Sequence, residues 1–181
     1  MEQIAATYVP RTVVKVRSDE LTHRLRELQP SDAEWIYRAC QDAEIQRWTM
    51  VPRPYRREHA ESFVKNRAGE LAAYAIVHAS TDEPVGVAGI HHVREGIASV
   101  GYWAAPWGRG RGAAADALRV LRSILSRNTE AHTVRALIAE TNAASRRTTE
   151  RAGFMMTGPD TDTCPDGTNQ ATALRYEIAV R

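Results

Sequence analysis

The stretch Gly101-Tyr102-Trp103-Ala104-Ala105-Pro106-Trp107-Gly108-Arg109-Gly110-Arg111-Gly112-Ala113-Ala114 constrains this chain more than any other. It carries an extended segment into a proline-broken exit, a glycine-rich turn and a helix start. Glycines admit left-handed backbone and close approach of another molecule. Successive N–H groups in such a turn converge, and the following helix adds unsatisfied donors and the positive end of its dipole. Arg109 and Arg111 place full positive charges at the rim. Together these features suit a pyrophosphate.

The surroundings decide which nucleotide fold is meant. Gly108-Arg109-Gly110-Arg111-Gly112-Ala113 also satisfies the dinucleotide pattern G-x-G-x-x-A, which alone is a weak signal. A dinucleotide fold needs that turn after the first strand of an alternating βαβ series. Here it follows a meander of three short strands: 71 to 79, 85 to 93 and 97 to 104, with turns at Ser80-Thr81-Asp82-Glu83 and Glu95-Gly96. No Gly-Lys-Ser/Thr occurs, so a Walker loop is excluded.

The rest of the chain supplies a strand at 22 to 28, then a helix opened by Ser31-Asp32-Ala33-Glu34 as a capping box and running to Cys40. A second helix spans 57 to 68, with Ala60, Phe63, Val64 and Arg67 on one face. After the glycine turn, the spacing predicts a helix over 112 to 125 that buries Ala114, Leu118, Leu121 and Leu125 and leaves Asp116, Arg119 and Arg122 outside. A strand at 134 to 139, a helix from Asn142 to Arg151 ended at Gly153, and strands at 154 to 157 and 172 to 180 follow. The last two bracket a polar loop, 158 to 170. The order is β-α-α-β-β-β-α-β-α-β-β, an α/β fold whose mixed, mostly antiparallel sheet is flanked by helices. Residues 1–20 show no periodicity and read as an N-terminal arm; 21–181 form one domain, within the usual range of about 100 to 200 residues.

Charge and composition narrow the partners. Lys+Arg 24 against Asp+Glu 22 gives a net charge of +2, so neither direct nucleic-acid binding nor a charged membrane is expected. The chain start lacks a basic segment followed by an apolar one, and the expected location is cytoplasmic. Cys40 and Cys164 share no metal-like spacing, so neither a disulfide nor a metal is expected.

Arg109-x-x-Gly112-x-Ala114 resembles the acetyl-CoA motif of the GNAT N-acetyltransferase superfamily, Q/R-x-x-G-x-G/A. Gly101-Tyr102-Trp103, Asn142-x-x-Ser145, Gly153-Phe154 and the opening Arg24-Leu25-Arg26 with Asp32-Ala33 resemble its ribosomal-protein N-terminal acetyltransferase branch. The resemblance implies a sheet splayed at the cofactor and acetyl-CoA as cosubstrate. It further implies a pyrophosphate on Arg109, Gly110, Arg111, Gly112, Ala113 and Ala114, and a pantetheine arm along Trp103, Ala104 and Ala105. Asn142 is either a cofactor contact or a helix cap. Ser145 matches the branch's general acid.

Acetyl transfer to an amine needs a neutral amine, donors for the developing oxyanion and an acid for the leaving thiolate. Relatives often carry Glu two residues before the Gly-Tyr-Trp; this chain has Ser99. The remaining candidates for a base are Glu140, on the strand face opposite Leu137 and Ala139, and His91 and His92, one of which must face the substrate. Without a dedicated base, the pH profile follows the amine itself. Near pH 7.5 an α-amine of pKa ~7.8 is roughly one-third neutral, against about 0.1% for a lysine of pKa ~10.4. The expected acceptor is therefore an α-amino group of a peptide, a protein N-terminus or a small amine metabolite, in a cleft lined by Trp48, Tyr55 and Tyr102. Arg47, Arg53, Arg56 and Arg57 beside that cleft would draw an acidic acceptor or else form a solvated face. Two alternatives remain: an acyl-CoA-binding or sensing domain that has lost catalysis, and an antibiotic-modifying N-acetyltransferase. Homodimerisation is left open.

Overall fold

The computed structural model describes residues 21–128 and 130–181, and the expected arm at 1–20 lies outside them. A seven-stranded sheet is ordered β1-β2-β3-β4-β5-β7-β6. Strands β1 (His23–Glu27), β2 (Ala72–His78), β3 (Pro84–Arg94) and β4 (Ile97–Ala104) form an antiparallel meander. The run Ala72–Val77 is buried without alternation because both faces of the sheet are covered. Tyr74, Ile76, Ala88, Ile90 and Val100 pack towards α4 (Ala113–Asn128). Ala75, Val77 and Val87 pack under α1 (Asp32–Ala39), α2 (Ala43–Trp48) and α3 (Arg57–Asn66).

β4 runs parallel to β5 (Thr133–Ala139) only from Ile97 to Ser99, opposite Thr133 to Arg135. Beyond Ser99 the two strands diverge, leaving the second half of β4 without a partner on that side among the described residues. β5 then pairs with β7 (Asn169–Ala179), and β7 with β6 (Met155–Asp166), both antiparallel. Between β5 and β6, α5 (Ala143–Arg151) packs near α4.

Four sequence expectations change. Ser31 is itself helical and makes no side-chain cap. Asp32 anchors the entrance instead, accepting from Gln29 N–H at 2.7 Å, Trp35 Nε1 at 2.6 Å and the Arg26 fork at 2.8 Å twice. The helix expected to reach Ala68 stops at Asn66, where Arg67 (φ 57) and Ala68 (φ 49) turn left-handed. Asp116 is buried, because Thr22 and His23 pass over α4 and bond its carboxylate at 3.3 and 3.0 Å. The polar loop 158 to 170 is a hairpin turning at Gly167 (φ 67). Its tip is docked on α2: Gly167 N–H donates to Arg47 O at 2.9 Å, and Asp166 accepts from Arg47 at 2.7 Å and Thr141 at 2.9 Å.

The two cysteines are free thiols; burial pushes Cys40 up to about 12, only partly offset by its hydrogen bond with Tyr55. Among the described residues no helix is long and apolar enough to cross a membrane.

Candidate active site

Where β4 and β5 part, a cavity of about 1080 Å³ opens. Its walls come from the glycine turn, the inward face of α5, the floor of β3 and β4, the α2 segment and the β6–β7 hairpin.

In the turn, each glycine has its own reason. Gly108 packs on Val85 so tightly that a Cβ there would come within 2.6 Å of Val85 Cβ and O. Gly110 and Gly112 have φ of 77° and 82°, and a Cβ on either would meet nothing within 4 Å. The backbone of the turn therefore faces open space at the start of α4, whose first N–H groups have no helical partner. Gly108, Arg109, Gly110, Gly112, Ala113 and Ala114 all line the cavity. Arg111 is exposed outside its lining, and Ala105 is buried, its N–H bound to Val85 O at 2.9 Å. The expected edge at Trp103 and Ala104 thus ends one residue early. Arg109 is tied to Asp42, which also caps α2 by accepting from Ile45 N–H at 3.0 Å. Burial raises the Asp42 carboxyl, but Arg109 and Ile45 N–H more than offset this and hold it below the usual range.

Across the cavity, Asn142 caps α5 by accepting from Ser145 N–H at 3.0 Å, and its residue also lines the cavity. Ser145 Oγ lies 2.7 Å from Tyr102 Oη, which is 2.9 Å from Thr149 Oγ1. Thr149 donates to Ser145 O at 2.9 Å, so its oxygen is left to accept from Tyr102. The Ser145 hydroxyl then donates to Tyr102. When Tyr102 turns its proton to Ser145 instead, Ser145 is free to donate into the cavity. Burial raises the Tyr102 phenol, tempered by these two hydroxyls, and keeps it a neutral donor. Tyr102, expected to line an acceptor cleft, lines the cavity, and its hydroxyl is joined to the candidate acid.

The base candidates separate. Strand β3 holds one residue more than β4 between Ile90↔Val100 and His92↔Ser99, so His91 is a bulge. Bulges re-aim side chains beside functional sites. His91 lines the cavity, and its Nδ1 lies 2.7 Å from both oxygens of Glu70. His92 is outside the lining, with Nδ1 buried and without a partner among the described residues. Burial, then Arg94 and His91, lower its pKa, so it stays a neutral structural imidazole at pH 7. Strand β5 ends at Ala139, so Glu140 is exposed in the turn that follows and lies outside the cavity lining. Glu70 escaped the sequence reading: it sits in the irregular link between α3 and β2, where no periodicity exposes it.

Trp48 and Tyr55 both line the cavity. Tyr55 is nevertheless 6% exposed, and its hydroxyl bonds inward to Cys40, so it offers a ring face and no polar handle. Trp48 Nε1 donates to Glu44 at 2.9 Å. Of the neighbouring arginines, Arg47 pairs with Asp166 and Arg57 with Glu34, while Arg53 donates to Gly167 O and Arg56 has no carboxylate partner among the described residues. Among the described residues no cluster of three His, Cys, Asp or Glu is placed to hold a metal ion.

Residues 23–155 match the family model described as an acetyltransferase (GNAT) domain. No functionally curated protein matches the sequence. Among solved structures, the chain resembles RimL, a ribosomal L7/L12 α-N-protein acetyltransferase in complex with coenzyme A, at 17% identity and a TM-score of 0.74, over 94% of this chain and 97% of that one. Mycobacterium smegmatis RimJ in complex with a CoA-disulfide gives 20%, 0.73, 87% and 81%. The aminoglycoside acetyltransferase AAC(6')-Ib in complex with coenzyme A and kanamycin gives 19%, 0.68, 87% and 94%.

Proposed function

Since the chain belongs to the GNAT acetyltransferase family, we propose that it moves an acetyl group from acetyl-CoA to a primary amine in the cavity between β4 and β5. The observation that carries this reading is the convergence on one cavity of an open glycine turn at a helix start, a strand edge without a partner and an O–H chain ending at Ser145. The α4 N–H groups with Gly110 and Gly112 suit the pyrophosphate. The unpaired half of β4 suits the amide-bearing pantetheine arm.

The chemistry divides among side chains. His91 Nε2 takes the proton that the amine sheds as its nitrogen bonds the carbonyl carbon. Backbone N–H groups of β4 beyond Ser99 stabilise the negative charge that develops on the carbonyl oxygen. As the C–S bond breaks, Ser145 gives its proton to sulfur while Tyr102 donates a hydrogen bond to the serine oxygen, and solvent entering the cavity returns a proton to Ser145 before the next turnover. The acceptor is an α-amino group of a peptide or protein N-terminus, or a small amine; the named neighbours act on both kinds, a ribosomal protein in RimL and an aminoglycoside in AAC(6')-Ib.

Two variants test this. Ala114→Asp puts a carboxylate in the first turn of α4, where it stabilises the helix by about 0.3–1 kcal/mol while repelling a phosphate. Acetyl-CoA affinity by calorimetry is expected to fall at least tenfold with no loss in melting temperature; unchanged affinity removes the pyrophosphate assignment. Ser145→Ala is expected to lower kcat by about 10- to 1000-fold with acetyl-CoA affinity kept. The assay follows thiol release with a panel of N-terminal tripeptides and kanamycin. Turnover of no amine favours the acyl-CoA-binding alternative.

A further inference from the structure

We propose that Glu70 is the positioning residue of this site: it holds the His91 ring with its proton on Nδ1, so that Nε2 is bare and aimed at the acceptor amine. The proposal rests on His91 as the base in the reading above, and goes beyond it by assigning a carboxylate that replaces the one missing at Ser99.

Four observations converge on the pair. The carboxylate accepts only, so the contact from His91 Nδ1 to both Glu70 oxygens at 2.7 Å requires the proton on Nδ1. Both residues line the cavity. The backbone beneath is cleared for them: Gly89 and Gly101 face each other across β3 and β4. A Cβ on Gly101 would sit 2.5 Å from His91 Nε2, and one on Gly89 would sit 3.3 Å from Glu70 Oε2. Any side chain at Gly101 would displace the imidazole. Finally, the chain reaches Glu70 through three consecutive left-handed residues, Arg67, Ala68 and Gly69, at φ of 57°, 49° and 85°. Two of these carry a Cβ, and strain of that kind is kept where the surroundings dictate it. Glu70 N–H is fastened to Arg67 O at 3.0 Å, and Leu71 N–H to His91 O at 3.3 Å. The first bond closes the turn of the link itself, and the second ties the link to the bulge.

The proton balance is simple. The amine nitrogen bonds the carbonyl carbon and releases its proton to His91 Nε2, giving an imidazolium whose Nδ1–H still faces Glu70. Solvent carries the proton off before the next turnover. With glutamine at position 70, the amide no longer fixes the tautomer: its NH₂ donates to Nδ1 as readily as its oxygen accepts from it, so the tautomer with its proton on Nε2, blocked as an acceptor, becomes populated.

The test compares Glu70→Gln, His91→Ala and the double variant in the full chain, with the best acceptor of the tripeptide and kanamycin panel. Glu70→Gln is expected to lower kcat about 10- to 100-fold, with amine KM within about threefold and acetyl-CoA affinity and melting temperature unchanged. In the His91→Ala background it is expected to cause no further loss, because the residues act as one unit. Independently of turnover, ¹⁵N shifts of the His91 ring are expected to show the Nδ1–H tautomer in the wild type and the Nε2–H tautomer populated in Glu70→Gln. Wild-type kcat in Glu70→Gln, an equal further loss in the double variant, or an Nε2–H tautomer in the wild type each overturns the proposal. If no panel amine is turned over, the acetyl-transfer reading falls, and the ring shifts alone decide whether Glu70 sets the tautomer.

Discussion

Replacing His91 with alanine is expected to lower kcat by roughly 10²- to 10⁴-fold, the range that a positioned general base contributes. Acetyl-CoA affinity should stay near the wild-type value, since the ring stands over Gly101 on the β3–β4 floor, apart from the glycine turn. The vacated space should admit free imidazole, and part of the lost rate should return as imidazole is added. In this variant only the amine's own free base reacts, so log(kcat/KM) should rise with unit slope and level off at the pKa of the amine used. A wild-type kcat in His91→Ala, with a plateau that tracks the amine in both proteins, would restore the base-free site that Ser99 suggested.

Asp32→Ala is expected to destabilise the fold by about 3–5 kcal/mol, the loss usual when one partner of a buried ion pair is removed. For a domain of this size that lowers the melting temperature by roughly 10 °C. Arg26 and Asp32 are 11% and 3% exposed, and removing the carboxylate strands the Trp35 and Gln29 N–H groups and leaves the guanidinium only Glu27 O at 3.0 Å and Asp82 at 3.6 Å. Replacing both charges, as Arg26→Met with Asp32→Leu, should lose less than Asp32→Ala alone. The pH dependence follows in sign. Burial raises the Asp32 carboxyl, but Arg26, Gln29 N–H and Trp35 more than offset it, so it lies below its usual 3.8. Its contribution is fully present above that value and is lost as pH falls through the lower, folded-state one. Urea unfolding should show wild-type stability dropping on acidification below about pH 4 and a flatter profile in Asp32→Ala. Equal stability at pH 7 would mean that the network is not holding the β1–α1 junction.

Much of the architecture was written locally. The meander was readable because β-branched and small apolar residues alternate with turn signals at Asp82 and Gly96, both of which turn left-handed. Helix α4 was readable because Leu118, Leu121 and Leu125 repeat at helical spacing. Its polar exception was not: Asp116 is buried only because His23, 93 residues away along the chain, passes over it. Helix α2 escaped notice because six residues give too few repeats, and its start depends on the Asp42 carboxylate, shared with Arg109 67 residues away.

The sequence by itself determined the glycine turn and the helix that follows it, since glycine conformations and helix periodicity are properties of neighbours along the chain. It also placed Ser145 one turn into a helix capped by Asn142, for the same reason. Only the tertiary structure decided which histidine faces the cavity, because a one-residue bulge reverses strand alternation and depends on pairing with β4. Only the tertiary structure brought Glu70 to His91, joined Tyr102 to Ser145 43 residues on, and turned a polar stretch into the docked hairpin tip at Asp166 and Gly167. Those contacts join segments far apart in the chain, and their energy exists only once the sheet has closed around them.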